Sequence, residues 1–383
     1  MYTRAEKAHL VQDAIAFKKV PRVPLVSNCS QWQVMDAGMT FTQACYDWDL
    51  MLKACKEFVD RYYFDYYRAI GIRNPVKLND ALGANAYVIT DDSISVPDNC
   101  WVTPDDFKGL MENYDKYLWE VIIPRKCVDL KTDHGLESFK NAAHEYHLFS
   151  DFMADIDHYI FEEKQTPRET RVGGSFRPYF ESLFNMWSGI KACSVMIRRN
   201  HDQVKEYCDW QNEQSMARFR REVVKEVVND TAASDFLTGF QSGTILNLKQ
   251  FEEFLWPYWK EFFNGLAEHN KTATMSIQSR MIYFKDFFRE IPKGHVQLGL
   301  EIDDVFEVRK ECPNLCINGG MPVEYLGRKT PEECIEYAKM LIDRLDAGNG
   351  GFVMGQNKML TFKKDAKREN LLAVTQYCLE HPF

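Results

Sequence analysis

No paired-cysteine signature runs through this chain: eleven cysteines are scattered over 383 residues, none as CxxC, and the nearest two, Cys312 and Cys316, have no companion pair. Such an odd, unpatterned set predicts reduced thiols in a cytoplasmic protein. No apolar run approaches the ~20 residues of a membrane span. Pro/Gly/Ser-rich linkers, charge blocks, low-complexity segments and short-period repeats are also missing, so nothing divides the chain, and one domain over residues 1–383 is expected. Positive charge is in deficit: the net charge of −9 excludes a general nucleic-acid binder, which needs a concentrated cationic surface. The local clusters Arg198, Arg199, Arg218, Arg220 and Arg221 are interleaved with acids and read as solvated helical faces.

What the chain has in abundance is aromatic side chains, 14% of its residues. Most must be core, and the remainder suit a cavity lined by rings. The clearest pattern lies in the last third. Four short apolar runs, Thr272 to Gln278, His295 to Glu301, Asn314 to Gly319 and Gly351 to Asn357, are apolar on both faces, as buried parallel strands are. Helices separate them. The best marked has Thr330 as N-cap, Pro331 at N1, Glu333 completing a capping box and Gly348 after the last turn. Strand and helix alternating at this spacing predict a parallel sheet with outer helices, an α/β fold that closes as a (β/α)8 TIM barrel. In such a barrel the polar strand ends share one face, so Gln278, Glu301, Asn318 and Gln356 are expected to converge on one cavity.

Earlier in the chain, Glu6 to Lys18 has helical spacing and Val20 to Asn28 runs into a first strand, whose end places Asn28 among the candidate ligand-binding residues. A helix over Asp47 to Tyr63 and a strand over Tyr62 to Ile70 follow. Residues 80–167 are more chain than one crossover needs, and an insertion at the mouth of a barrel is a natural lid or docking surface or a plain surface embellishment. Within it His144, His147, Asp151, Asp155 and His158 share one helical stripe, either a metal site or the wet side of a helix whose dry side is Leu148, Phe152, Ile156 and Tyr159. Arg171 to Phe184 reads as a Gly-rich strand exit, with Arg177 a candidate for an anionic group. Ala233 to Gly243 is the expected fourth strand, bringing Thr238 or Gln241 to the cavity mouth.

The PRVPL entry into the first strand, Phe64 to Ile89, and above all Asn247 (NLKQFEEFLWPYWKEFF) through Gly355 resemble the uroporphyrinogen decarboxylase superfamily, which includes corrinoid-dependent methyltransferases. The arginine motif that receives porphyrinogen carboxylates after the first strand has no counterpart in SNCSQWQ (Ser27 to Gln33), which argues against the decarboxylase itself. PKGHVQLGLE and the FEEFLWP helix resemble the methyltransferase I components of bacterial O-demethylases. The resemblance implies transfer of a methyl group from a methoxylated aromatic to cobalt. No His here lies in a DxHxxG cobalamin motif, so the corrinoid would arrive on a separate protein partner. Zinc ligands of related enzymes align with Ser276, Gln278 and Gln356 or Asn357 in one branch, and with Gln278 and Gly299 in the other; the usual zinc ligands are therefore absent, so the chain either lacks the metal or holds zinc elsewhere.

Expulsion of a phenolate then needs an acid from the pocket, for which Glu301 is the candidate, with Arg280 or Arg73 stabilising developing charge. Gln278, Asn318 and Gln356 would orient ring substituents. The rivals are a decarboxylase or lyase on the same barrel, and a non-catalytic member that binds an aromatic or tetrapyrrole. A homodimer fits the family, although the sequence shows no long heptad seam to argue it.

Overall fold

The computed structural model describes residues 2–68, 70, 75–171, 173–226 and 230–383. In chain order its strands are β1 (Val26–Asn28), β2 (Tyr66–Arg68), β3 (Val88–Ile89), β4 (Ile94–Ser95), β5 (Arg168–Thr170), β6 (Ala232–Ser234), β7 (Phe236–Phe240), β8 (Ala273–Ile277), β9 (Val296–Leu300), β10 (Cys316–Met321) and β11 (Phe352–Gln356). β3 and β4 form an antiparallel hairpin inside the predicted insertion. All the other pairings are parallel. β7 to β11 form one five-stranded sheet in sequence order, β1 pairs with β2, and β5 pairs with β6.

These pieces join end to end. Leu25 bridges to Met354, linking β1 to β11. β6 and β7 are two halves of one run, broken where the N–H groups of Asp235 and Phe236 both donate to the Thr272 carbonyl at 3.1 and 3.0 Å, a local bulge. The succession is therefore β2–β1–β11–β10–β9–β8–β7/β6–β5. Among the described residues no ladder joins its two ends, but the Arg68 guanidinium on β2 donates to Glu169 on β5 at 2.7 Å.

The strands curve, as shown by what their inner side chains touch. Val26, Tyr66, Ala233, Cys316 and Val353 come from β1, β2, β6, β10 and β11, yet they form one hydrophobic cluster with Leu10, Val11, Ala14 and Ile15. The helix carrying the last four, Arg4–Ile15, begins with a capping box between Thr3 and Glu6 and plugs the N-terminal end of the sheet. Outer side chains such as Met275, Leu298 and Ile317 are fully buried in a second, larger cluster under the surrounding helices. A parallel sheet covered on both faces explains why these runs are apolar throughout.

In the insertion, helix Gly135–His158 buries Phe152 and Ile156 as expected. The five-residue stripe from His144 to His158 is exposed, and His147 and Asp151 lie 3.7 Å apart in solvent. Among the described residues no group of three or more His, Cys, Asp or Glu is placed to hold a metal ion. The solvated reading of that stripe is the one the structure supports.

Candidate functional site

Register partners in a parallel sheet share a face, so the sheet's inner surface can be built row by row. The lowest polar row contains Thr274 and Gln297, which face each other on β8 and β9. Gln297 donates to Thr274 Oγ1 at 2.7 Å and accepts from Asn318 at 2.8 Å, while Asn318 also donates to the Tyr66 hydroxyl at 2.6 Å. Buried polar groups that satisfy one another in this way fix a core and leave little to offer a ligand.

One step toward the strand ends, Gly239, Ser276 and Gly299 form the next row across β7, β8 and β9. Both glycines are places where an arginine comes close. A Cβ on Gly299 would stand 3.0 Å from Arg68 Nη1, and one on Gly239 would stand 3.2 Å from Arg177 Nη2. Arg68 reaches across from β2 to donate to Ser276 Oγ as well as to Glu169. Burial pulls the Arg68 pKa down, but Glu169, Tyr66 and Glu301 outweigh it, leaving the guanidinium firmly charged. Sequence reasoning missed Arg68; the detectable signal was a lone charge closing the aromatic strand Tyr66–Tyr67–Arg68.

The top row lies just past the strand ends. Gln241 donates to Gln278, whose own amide donates to Glu301 Oε1 at 3.0 Å. Burial raises the Glu301 carboxyl above the ordinary carboxylate range, and the Gln278 bond with the charges of Arg68 and Lys358 offsets this only in part. Gln241 is held by a fully buried neighbour: Glu181 accepts from the backbone N–H of Gln241 at 2.9 Å and of Ser242 at 3.0 Å. Burial likewise raises the Glu181 pKa, with the Ser242 and Gln241 bonds and the Arg177 charge opposing it.

The four polar ends expected to meet therefore separate. Gln278 and Glu301 do meet. Asn318 belongs to the row of Gly299, one level lower, and points down to Tyr66 and Gln297. Gln356 pairs in register with the outward-facing Met321 and lies among Leu25, Phe64 and Leu371 behind the sheet, where its Oε1 accepts from the Asn28 N–H at 2.7 Å. A one-residue offset reverses the face of a strand residue, so the mouth receives Asn357 instead, which donates to the Glu301 carbonyl at 3.3 Å. The same alternation turns Thr238 outward to accept from Trp259 Nε1 at 3.2 Å. Asn28, register partner of Arg68, is buried, and among the described residues its Oδ1 has no partner. Arg280 stands exposed at the start of a short 3-10 turn, its charge acting on Asp303, apart from this network. Arg73 falls outside the described residues.

A cleft of about 630 Å³ opens beside the ends of β10 and β11, lined by Arg328, Lys358, Lys363, Lys364 and Lys367 with Glu324 and Asp365. Another, of about 560 Å³, lies between the helices His201–Val223 and Trp256–Glu268, away from the strand ends.

The positions at which zinc ligands would align, Ser276, Gln278, Gly299, Gln356 and Asn357, supply a hydroxyl, amides and no side chain at all. None is an imidazole, thiolate or carboxylate donor, and a charged guanidinium beside Ser276 and Gly299 opposes a dication there. The residues present do not fit zinc at that place.

No family model and no curated protein matches the chain. Among solved structures, a methyltransferase from Methanosarcina mazei covers 99% of this chain and 99% of its own at 14% identity, with a TM-score of 0.60. A uronate isomerase from Bacillus halodurans, 12% identical over 99% of this chain and 87% of its own, has a TM-score of 0.28, too low to bear on the argument. The chain thus has a methyltransferase-like fold. At 14% identity the likeness is one of architecture, and the chemistry has to be argued from the rows of side chains.

Proposed function

We propose that this chain is a methyltransferase whose nine described parallel strands, counting the bulged β6 and β7 as one, form the eight staves of a (β/α)8 barrel of the uroporphyrinogen decarboxylase type, one domain with an insertion at 80–167. Its substrate is a methoxylated aromatic and its methyl acceptor a corrinoid carried by a separate protein. A methyltransferase as structural neighbour supports the class, and the observation that carries the reading is Glu301. It sits at the mouth, bonded to Gln278 and biased by burial toward its protonated form.

A Co(I) corrinoid would supply the nucleophile that takes the methyl group. The protein's own task is then the leaving oxygen. As the methyl–oxygen bond breaks with its electron pair left on oxygen, Glu301 delivers its proton there, so no free phenolate has to be expelled. Gln278 and Gln241 fix the direction of that proton, and Arg68 lies close enough to bias the charge around it. The basic cleft beside β10 and β11 adjoins the same mouth through Lys358, a suitable margin for a second protein.

The test is optical: the chain, a Co(I) corrinoid protein and a panel of methoxylated aromatics are mixed, and loss of the Co(I) absorbance is followed. Loss with one class of ether, slowed on the order of a hundredfold in Glu301→Gln, is expected. Unchanged Co(I) with every ether, while the chain binds a porphyrinogen, would move the assignment to a decarboxylase or binding role.

A further inference from the structure

Arg177 is half-buried at the inner surface beside Gly239, and among the described residues it makes no hydrogen bond or ion pair. The nearest candidate is occupied. Glu181 feels the Arg177 charge, but its two oxygens are taken by the N–H groups of Gln241 and Ser242 and by the Ser242 hydroxyl. Arg68, over the glycine on the other side of Ser276, has one carboxylate partner, Glu169. Gly239 and Gly299 are two strands apart, which puts the two guanidiniums over positions about 10 Å from each other. Arg68 thus has a direct carboxylate partner, while Arg177, facing only the already bonded Glu181, has none among the described residues, so an incoming anion finds a guanidinium free to receive it in a partly desolvated space.

A further feature fits. Any side chain at Gly239 or Gly299 would crowd the guanidiniums, so the glycines keep the row open for them. The row therefore differs from the one below it, where every named amide and hydroxyl is already matched.

We propose that the Gly239–Ser276–Gly299 row, bracketed by Arg177 and Arg68, is a carboxylate-binding site, so that the substrate is an aromatic ether carrying a carboxylate rather than a neutral one. Arginine recognises a carboxylate by two parallel N–H donors, and Ser276 offers a hydroxyl between the two guanidiniums. The guanidiniums take the place that zinc ligands would occupy in the aligned branch. The proposal deepens the methyl-transfer reading and rests on it for the identity of the ether, although the anion site can be tested by itself.

Titration of the full chain with 3-methoxybenzoate and with methoxybenzene, followed by calorimetry, provides that test. The carboxylate is expected to bind at least about tenfold more tightly, and Arg177→Met to erase the difference with the melting temperature unchanged, while Arg177→Lys keeps part of it. Gly299→Ala, which pushes on Arg68 without removing a charge, should weaken the anion and spare the neutral ether. Equal affinity for the two ligands, or an Arg177→Met variant that still prefers the carboxylate, overturns the proposal. So does a stoichiometric zinc ion measured in the dialysed protein and lost on Ser276→Ala. Should methoxybenzene consume Co(I) while no carboxylate preference exists, the anion site falls and methyl transfer stands. Carboxylate binding that needs Arg177, with no Co(I) consumed from any ether, leaves the anion site standing alone.

Discussion

The two ends of the parallel sheet both bury charge, but they handle it in opposite ways. At the N-terminal end, Arg22 and Asp65 meet through two bonds of 2.8 and 2.6 Å, and Asp65 also accepts from the Leu25 N–H at 2.8 Å and from Tyr63 at 3.1 Å. Lys7, buried beside them, donates to Thr166 at 2.9 Å; burial lowers its pKa, with Asp65 opposing that shift. Among the described residues, only Arg22 Nε is left without a partner there. At the C-terminal end, among the described residues, Arg177 has no hydrogen-bond or ion-pair partner, Asn28 Oδ1 has no donor, and burial biases Glu301 toward its neutral form. One end is finished by the protein itself. The other is finished only when something binds, which is the physical difference between a structural ion pair and a site.

The sharpest way to break that comparison is at the finished end. Asp65→Ala leaves the buried Arg22 charge without its carboxylate, only the Val23 carbonyl and the Tyr63 hydroxyl still accepting from it, and frees the Leu25 N–H; removal of one member of such a pair is expected to reduce stability by about 3–5 kcal/mol. Urea unfolding measures it. A loss below about 1 kcal/mol would mean that the N-terminal pair is as loosely held as the mouth, and the distinction between the two ends would go.

Next in size is Glu301→Gln at the unfinished end, with an expected fall in methyl transfer on the order of a hundredfold, the lower range for loss of a general acid. Stability should respond in the other direction. Because the folded-state pKa of Glu301 is raised, the folded protein holds a proton that the unfolded chain releases, so stability falls as pH rises from the ordinary carboxylate range through the raised value. The Gln variant lacks that dependence. Urea midpoints of the two proteins across mildly acidic to neutral pH should therefore diverge, with wild type losing ground as pH rises. Parallel curves would show that Glu301 is not desolvated, and the acid role would lose its support.

Different parts of this architecture announce themselves to different degrees. β8 to β11 are five or six residues long, apolar on both faces and separated by well-capped helices, so period and punctuation suffice to find them. β1, β2 and β5 have three residues each and are defined by partners distant in the chain, which no local pattern encodes. At the site, Glu301, Gln278, Gln241 and Arg177 were legible as polar residues at strand ends. Asn318 and Gln356 were misplaced because strand phase, not proximity to a strand end, decides which side a residue faces. Arg68 escaped notice, and Ser276 was read only as a place where a zinc ligand is missing, because their importance comes from the two glycines opposite, and a glycine in a strand says that something approaches without saying what.

The smallest expected effect lies on an outer helix, where neither end of the sheet is involved. Thr330 caps helix Pro331–Arg344: its hydroxyl accepts from the Glu333 N–H at 3.3 Å, and Glu333 accepts from the Thr330 N–H at 2.9 Å. Thr330→Ala removes one of these reciprocal bonds and should reduce stability by about 1 kcal/mol, shifting the urea midpoint slightly. The cap is far in the chain from Arg68, Arg177 and Glu301 and shares no hydrogen-bond partner with them, so affinity for 3-methoxybenzoate and the rate of Co(I) consumption should match wild type. If this variant weakened carboxylate binding as much as Arg177→Met does, ligand affinity would be tracking overall stability. The unpaired charge at the mouth would then not be what the ligand reads.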